Sequence, residues 1–376
     1  MNRWMNTIAG YVGGTLMLAC GVVAWALCTS WFGGRSPNPA MGFALAILLM
    51  FPALVVHELG HYASARLAGM TVLLMYVLGW EIHPQRRGWH VQRSPRRLSG
   101  ISGYVFASPS PSRPMRPQVV ALVAGGPAAN LVVAAACGLV GWLGFPGSEG
   151  RLLLAFATLN AGFGVVNLIP HQTPMPSDGL SLYTWLRGVD ETSPELAYTR
   201  VVAQAIAGRT ADEIADDELA TLESQPAHLP IFALWIRFKA DQDRGAWKAA
   251  VAHADTLGTR VKALDPATRT AIAGLLALFR IELAFSRAML TGDGAWLENG
   301  RLARKLVRSS RWLLPRCEAL KAALRGDERS CMAWLETSRR HADNSLDGAL
   351  VRSEARLREC VAAVGRRTSA DRRGLD

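Results

Sequence analysis

Four apolar runs, each close to the roughly 20 residues needed to cross a bilayer, occupy the first half of the chain at about 6–29, 40–65, 119–144 and 152–170. The first is too long for a signal-peptide core and lacks a small-x-small cleavage site, so it reads as a retained span. Between the second and third runs the pattern changes. "TVLLMYVLGWEIHP" and "WHVQR", on either side of Arg86–Gly88, predict a β-hairpin. "LSGISGYVFA" (98–107) predicts a third strand or a re-entrant loop. Non-helical backbone near a membrane must be buried in protein or line a wet cavity.

From about residue 189 apolar positions recur at helical spacing among charged ones. Helices are predicted at roughly 193–207, 211–224, 229–242, 246–257, 267–291, 295–308, 313–324, 329–342 and 346–364. "AIAGLLALFRIELAF" (271–285) is apolar but contains Arg280 and Glu282, and reads as a buried soluble helix rather than a fifth span. "RGAWKAA", "DGAWLEN" and "CMAWLET" resemble one another at irregular spacing, which fits a degenerate helical-repeat array of the tetratricopeptide kind. The expected fold is therefore mainly α. Residues 1–188 form a polytopic helical membrane domain with a small hairpin or re-entrant region, and 189–376 form a soluble all-α domain.

Charge sharpens this division. Residues 1–187 hold 12 Lys and Arg with 4 Asp and Glu, and the remainder holds 29 and 26. The net charge of +11 does not imply nucleic acid, because it is not interleaved with stacking aromatics. Arg86, Arg87, Arg93, Arg96, Arg97, Arg113 and Arg116 sit in one loop between spans, which predicts a cytoplasmic loop by the positive-inside rule. The N-terminus and everything after the fourth span then lie on the cytoplasmic side. Six scattered cysteines without CxxC spacing predict reduced thiols, not a disulfide framework or a cysteine metal site.

The second run ends in "HELGH". Ionisable groups in a span are costly, so their presence calls for a function. On a helix, i and i+4 share a face, so His57 and His61 can reach one Zn²⁺, with Glu58 beside them as general base. His57 lies about 25 Å into a core of about 30 Å, toward the cytoplasmic edge. A catalytic zinc needs a third protein ligand and an open position. "NLIPHQTPMPSDG" (167–179) offers Asp178 after three prolines, on the same side by this topology. An N-cap Asp opening a surface helix is the alternative reading of Asp178, and His171 is a rival ligand. His83 and His90 read as hairpin or surface residues.

HELGH late in one span, "AGGPAAN" (124–130) in the next and "NLIPHQTPMPSDG" after the last resemble, in order, the motifs of the site-2 protease family of intramembrane zinc metalloproteases. "ISGYV" (101–105) resembles that family's glycine-rich re-entrant strand. The resemblance covers roughly residues 40–187. Two features depart from the common pattern: Ser177 stands where leucine is usual, and the spacer from Asn167 is long. No PDZ domain fits between the motifs.

The resemblance implies one Zn²⁺ per chain held by His57, His61 and Asp178, with Glu58 catalytic. It implies that Asn130 and Asn167 help to hold the substrate backbone; interhelical hydrogen bonding is their other reading. The implied substrate is a single-span membrane protein, cut within a bacterial inner membrane toward the cytoplasmic side. The cytoplasmic helical domain is expected to bind a protein partner, and the lipid bilayer surrounds the spans. A non-catalytic zinc-binding membrane scaffold is the main alternative. An ion transporter fits the single HExxH poorly.

Overall fold

The computed structural model describes residues 3–31, 38–94, 102–144, 147–172, 175–226, 228–298 and 310–373. Ile101, Arg96, Arg97, Pro174 and most of the helix expected over 295–308 lie outside the described residues. Two compact units are present. One comprises Met1–Pro84 with Gly88–Glu191, the other Gln85–Arg87 with Thr192–Asp376.

The first unit contains four helices long and apolar enough to cross a membrane, among the described residues. They are α1 (Arg3–Trp31), α2 (Pro39–Leu67), α3 (Met115–Leu143) and α4 (Ser148–Leu168). Asn38 starts α2: its side chain accepts from the Met41 backbone N–H, and Pro39 fits the first turn. Each helix is apolar all round, so periodicity does not mark its inner face. Small residues do. Ala24 and Cys28 of α1, Ala46 of α2, and Ala155 with Leu159 of α4 form a buried cluster. Lipid has no hydrophobic preference between helices, so such residues let backbones approach and gain dispersion contacts. Leu18, Val132 and Trp142 project outward, fully consistent with a lipid-facing surface.

Between α2 and α3 lies a four-stranded antiparallel sheet in the order β3-β2-β1-β4. Its strands are β1 (Thr71–Val77), β2 (Trp80–Pro84), β3 (Trp89–Arg93) and β4 (Gly103–Ser108). The expected hairpin around Arg86–Gly88 is β2-β3. The stretch expected to be its single first strand is instead two strands. Val77 pairs with Trp80 across a two-residue turn, and Leu78 (φ 50°) and Gly79 (φ 85°) both adopt the left-handed region. That is the geometry of a tight primed hairpin turn. Leucine is a poor residue for it, which is why the sequence hid the turn. "GYVFAS" is a true edge strand. The sheet seats on α2 through Ala65, Met70 and Val72.

The second unit is helical among its described residues. Its helices run over Ala197–Ile206, Asp216–Glu223, Leu229–Asp243, Trp247–Lys262, Pro266–Ala271, Ala273–Thr291, Leu313–Leu324, Glu328–Ala342 and Gly348–Arg373. The helix expected over 267–291 is broken at Ile272. Phe238, Phe279, Phe285 and Leu320 anchor its apolar interior. The apolar 271–285 stretch buries Leu276, Phe279, Glu282, Leu283 and Phe285 in this unit and exposes Ala271, Ala273, Gly274 and Arg280. Its Glu282 pairs with the fully buried Arg316, which also bonds Glu354.

Candidate metal centre

α2 brings His57 and His61 to one face, where their rings meet edge to face with centroids 4.6 Å apart. Both are buried. α3 comes close enough to hold them because it is built from glycine and alanine there. A side chain at Gly125 would strike Ser64 and the Gly60 backbone, and one at Gly126 would land on the His61 imidazole. The close approach lets His61 Nδ1 reach the Leu122 carbonyl at 2.7 Å. His57 Nδ1 lies 2.7 Å from Asn130 Oδ1.

Asp178 arrives from the far end of α4. Past Leu168 the prolines end the helix, and Ser177 ties the turn. Its hydroxyl donates to the Ile169 carbonyl and accepts from the His171 and Leu180 backbone N–H groups. Ser177 thus caps the short helix α5 (Asp178–Arg187). The cap is Ser177 and not Asp178, so the Asp178 carboxylate is free to face α2. Gly179 packs on the Leu168 backbone with no room for a side chain. Asn6 of α1 clasps Gln172 through two hydrogen bonds and fixes the same turn.

The result is a cluster of three donors. His57 Nε2 lies 3.1 Å from Asp178 Oδ2 and 3.1 Å from His61 Nε2, and His61 Nε2 lies 3.5 Å from the same carboxylate oxygen. These are the residues able to hold a metal ion among those described. Three lone-pair-bearing atoms this close need a positive charge among them. Zinc bonds of about 2.0–2.1 Å in a tetrahedral site place ligand atoms about 3.3 Å apart, so two imidazoles and one carboxylate at these spacings fit Zn²⁺ with one position open.

Glu58 lies beside the cluster, 3 % exposed, and its Oε2 has no hydrogen-bond partner among the described residues. An orphaned buried carboxylate oxygen is costly unless something binds there. The group opens on a cleft of about 470 Å³ lined by Gly103, Tyr104, Phe163, Asn167 and Asp178, among others. Asn167 lines the cleft while its amide donates to the Phe163 carbonyl. Asn130 is fully buried and is not among the cleft residues. His171 is on the wall, its Nδ1 turned to the Ile169 carbonyl. His83 and His90 pair across β2 and β3, and neither is among the cleft residues. Sequence reasoning missed Asn160, fully buried in α4 and bonded to Asn130. An amide in an apolar span was the signal available.

No curated protein and no solved structure matches the chain. Residues 43–148, which include HELGH, the sheet and AGGPAAN, match the model of peptidase family M50, the site-2 protease family whose motifs the sequence resembles.

Proposed function

We propose that the chain is an intramembrane zinc endopeptidase that hydrolyses peptide bonds in or near the spans of single-span membrane proteins. The observation that carries this reading is Asp178 Oδ2 at 3.1 Å from His57 Nε2. The family match ends at residue 148. The support for Asp178 as third ligand is therefore geometric: its carboxylate, beyond the end of α4, lies beside the HELGH histidines.

His57, His61 and Asp178 would hold the metal. Bound zinc supplies Lewis acidity toward the scissile carbonyl and lowers the pKa of water toward about 7. Glu58 accepts the proton of the attacking water and returns it to the leaving amine. A helical substrate hides its peptide bonds and must unwind first. β4 is one edge of the sheet, and its residues Gly103, Tyr104 and Val105 line the cleft, so an unwound segment can add to it as a further strand. Asn167 sits where it can bond that segment.

The arginine-rich loop supports placing the site toward the cytoplasmic side, with residues 192–376 cytoplasmic, and the family resemblance supports a bacterial inner membrane. In the helical unit, Gly245, Gly292 and Gly326 each follow a helix with φ near 70° and turn the chain toward the next element. This recurrence supports a helical-repeat module that binds a protein partner or the cytoplasmic part of the substrate. Such an arrangement suits regulated intramembrane proteolysis.

The test compares membrane-protein fragments in cells expressing wild type and Glu58→Gln. Fragments present with wild type and absent with the variant support the protease. Identical fragments overturn it and favour a zinc-binding scaffold. Deleting residues 192–376 should change substrate choice or rate, and no change would remove the role given to the helical unit.

A further inference from the structure

Asn130 and Asn160 are both fully buried within spans, and their amides are linked in one direction. Asn160 Nδ2 donates to the Phe156 carbonyl at 2.9 Å. Asn130 Nδ2 donates to Asn160 Oδ1 at 2.8 Å and to the Ala53 carbonyl at 2.9 Å. Both Asn130 amide protons are then used, and its Oδ1 faces His57 Nδ1 at 2.7 Å.

The direction of this chain is fixed by the backbone. Ala53 and Phe156 present carbonyls, which accept only. Flipping the Asn130 amide would set oxygen against oxygen at Ala53 and at Asn160. Flipping both amides would do so at Ala53 and Phe156. With Oδ1 held toward His57, the imidazole must carry its proton on Nδ1. Its lone pair then lies on Nε2, the atom 3.1 Å from both His61 Nε2 and Asp178 Oδ2. His61 reaches the same state through the Leu122 carbonyl. Partners of this kind orient metal-binding histidines and select their tautomer.

We propose that Asn160 and Asn130 form an amide relay that sets the tautomer and ring orientation of His57, with Asn130 a positioning residue for the metal rather than a substrate contact. The inference rests on the reading of His57 as a metal ligand. It makes α4 a contributor to the site twice, through Asp178 and through Asn160.

The test uses the full chain in detergent and titrates Co²⁺ against a competing chelator, recording the visible spectrum of the bound ion and the melting temperature of the protein. Asn130→Leu should weaken Co²⁺ binding by roughly 10- to 100-fold and alter the spectrum. Asn130→Asp retains an acceptor for His57 Nδ1 but loses the donors to Ala53 and Asn160, so its Co²⁺ affinity should fall between those of wild type and Asn130→Leu. Asn160→Ala should weaken binding less than Asn130→Leu, because Ala53 still orients Asn130. In the ¹⁵N spectrum, wild-type His57 should be Nδ1-protonated, and Asn130→Leu should populate the other tautomer. Wild-type affinity and spectrum in Asn130→Leu would overturn the relay while leaving the metal site standing. Equal loss in Asn130→Leu and Asn130→Asp would overturn it too, since an acceptor alone would then not rescue. A wild type that binds no Co²⁺ would overturn both the relay and the metal site.

Discussion

The backbone of Gly103 passes so close to the Glu58 carboxylate that a methyl group on residue 103 would overlap it. A second glycine, Gly126, stands in the same relation to the imidazole of His61. The two contacts touch different parts of the site, one the base and the other a metal ligand, and they separate two kinds of damage. Gly103→Ala should leave zinc bound while displacing Glu58, with a rate loss on the order of 100-fold for a shift near 1 Å. Gly126→Ala should weaken zinc itself. Zinc content and fragment yield, measured on both variants, check the pair. Loss of zinc in Gly103→Ala would contradict the separation.

Glu58→Gln tests the base alone. The amide is nearly isosteric and does not ligate in this reading, so zinc should stay near wild-type stoichiometry. Cleavage should fall by about 100-fold or more, the range of general acid–base catalysis. Elemental analysis and fragment yield on one preparation give both numbers. Joint loss of metal and activity would move Glu58 into the ligand set.

Much of the site was legible because its chemistry is local in sequence. HELGH specifies two histidines on one helical face, and Asp178 stands out after a proline-broken span. What was hidden lies in three dimensions. Leu78 is an unfavourable residue for a left-handed turn, so β1 and β2 read as one strand. Ser177 looked like a departure from a pattern, yet its hydroxyl caps α5 and frees Asp178 to face the histidines. For Asn130 the resemblance implies a substrate contact and the residue type alone allows interhelical hydrogen bonding; its three partners, Ala53, Asn160 and His57, come from two other helices. Periodicity gave no inward face for helices that are apolar all round.

The helical unit makes a stability prediction of its own. Arg316 is fully buried between Glu282 and Glu354, and Lys239 reaches Glu282 as well. Arg316→Met leaves two buried carboxylates short of their partner. Removing one member of such a pair costs about 3–5 kcal/mol. Thermal unfolding followed by circular dichroism should show early loss of helix in this variant, with zinc content unchanged. Wild-type unfolding would show that the two carboxylates take up protons without cost to the fold.

The most direct test of the central claim is zinc per chain in detergent-purified wild type and Asp178→Ala, after dialysis against a weak chelator. It needs no substrate. Wild type should hold about one zinc, the number a single His57–His61–Asp178 site holds, and Asp178→Ala little or none. A well-folded wild type without zinc, or an Asp178→Ala variant that holds zinc as tightly as wild type, would contradict that claim.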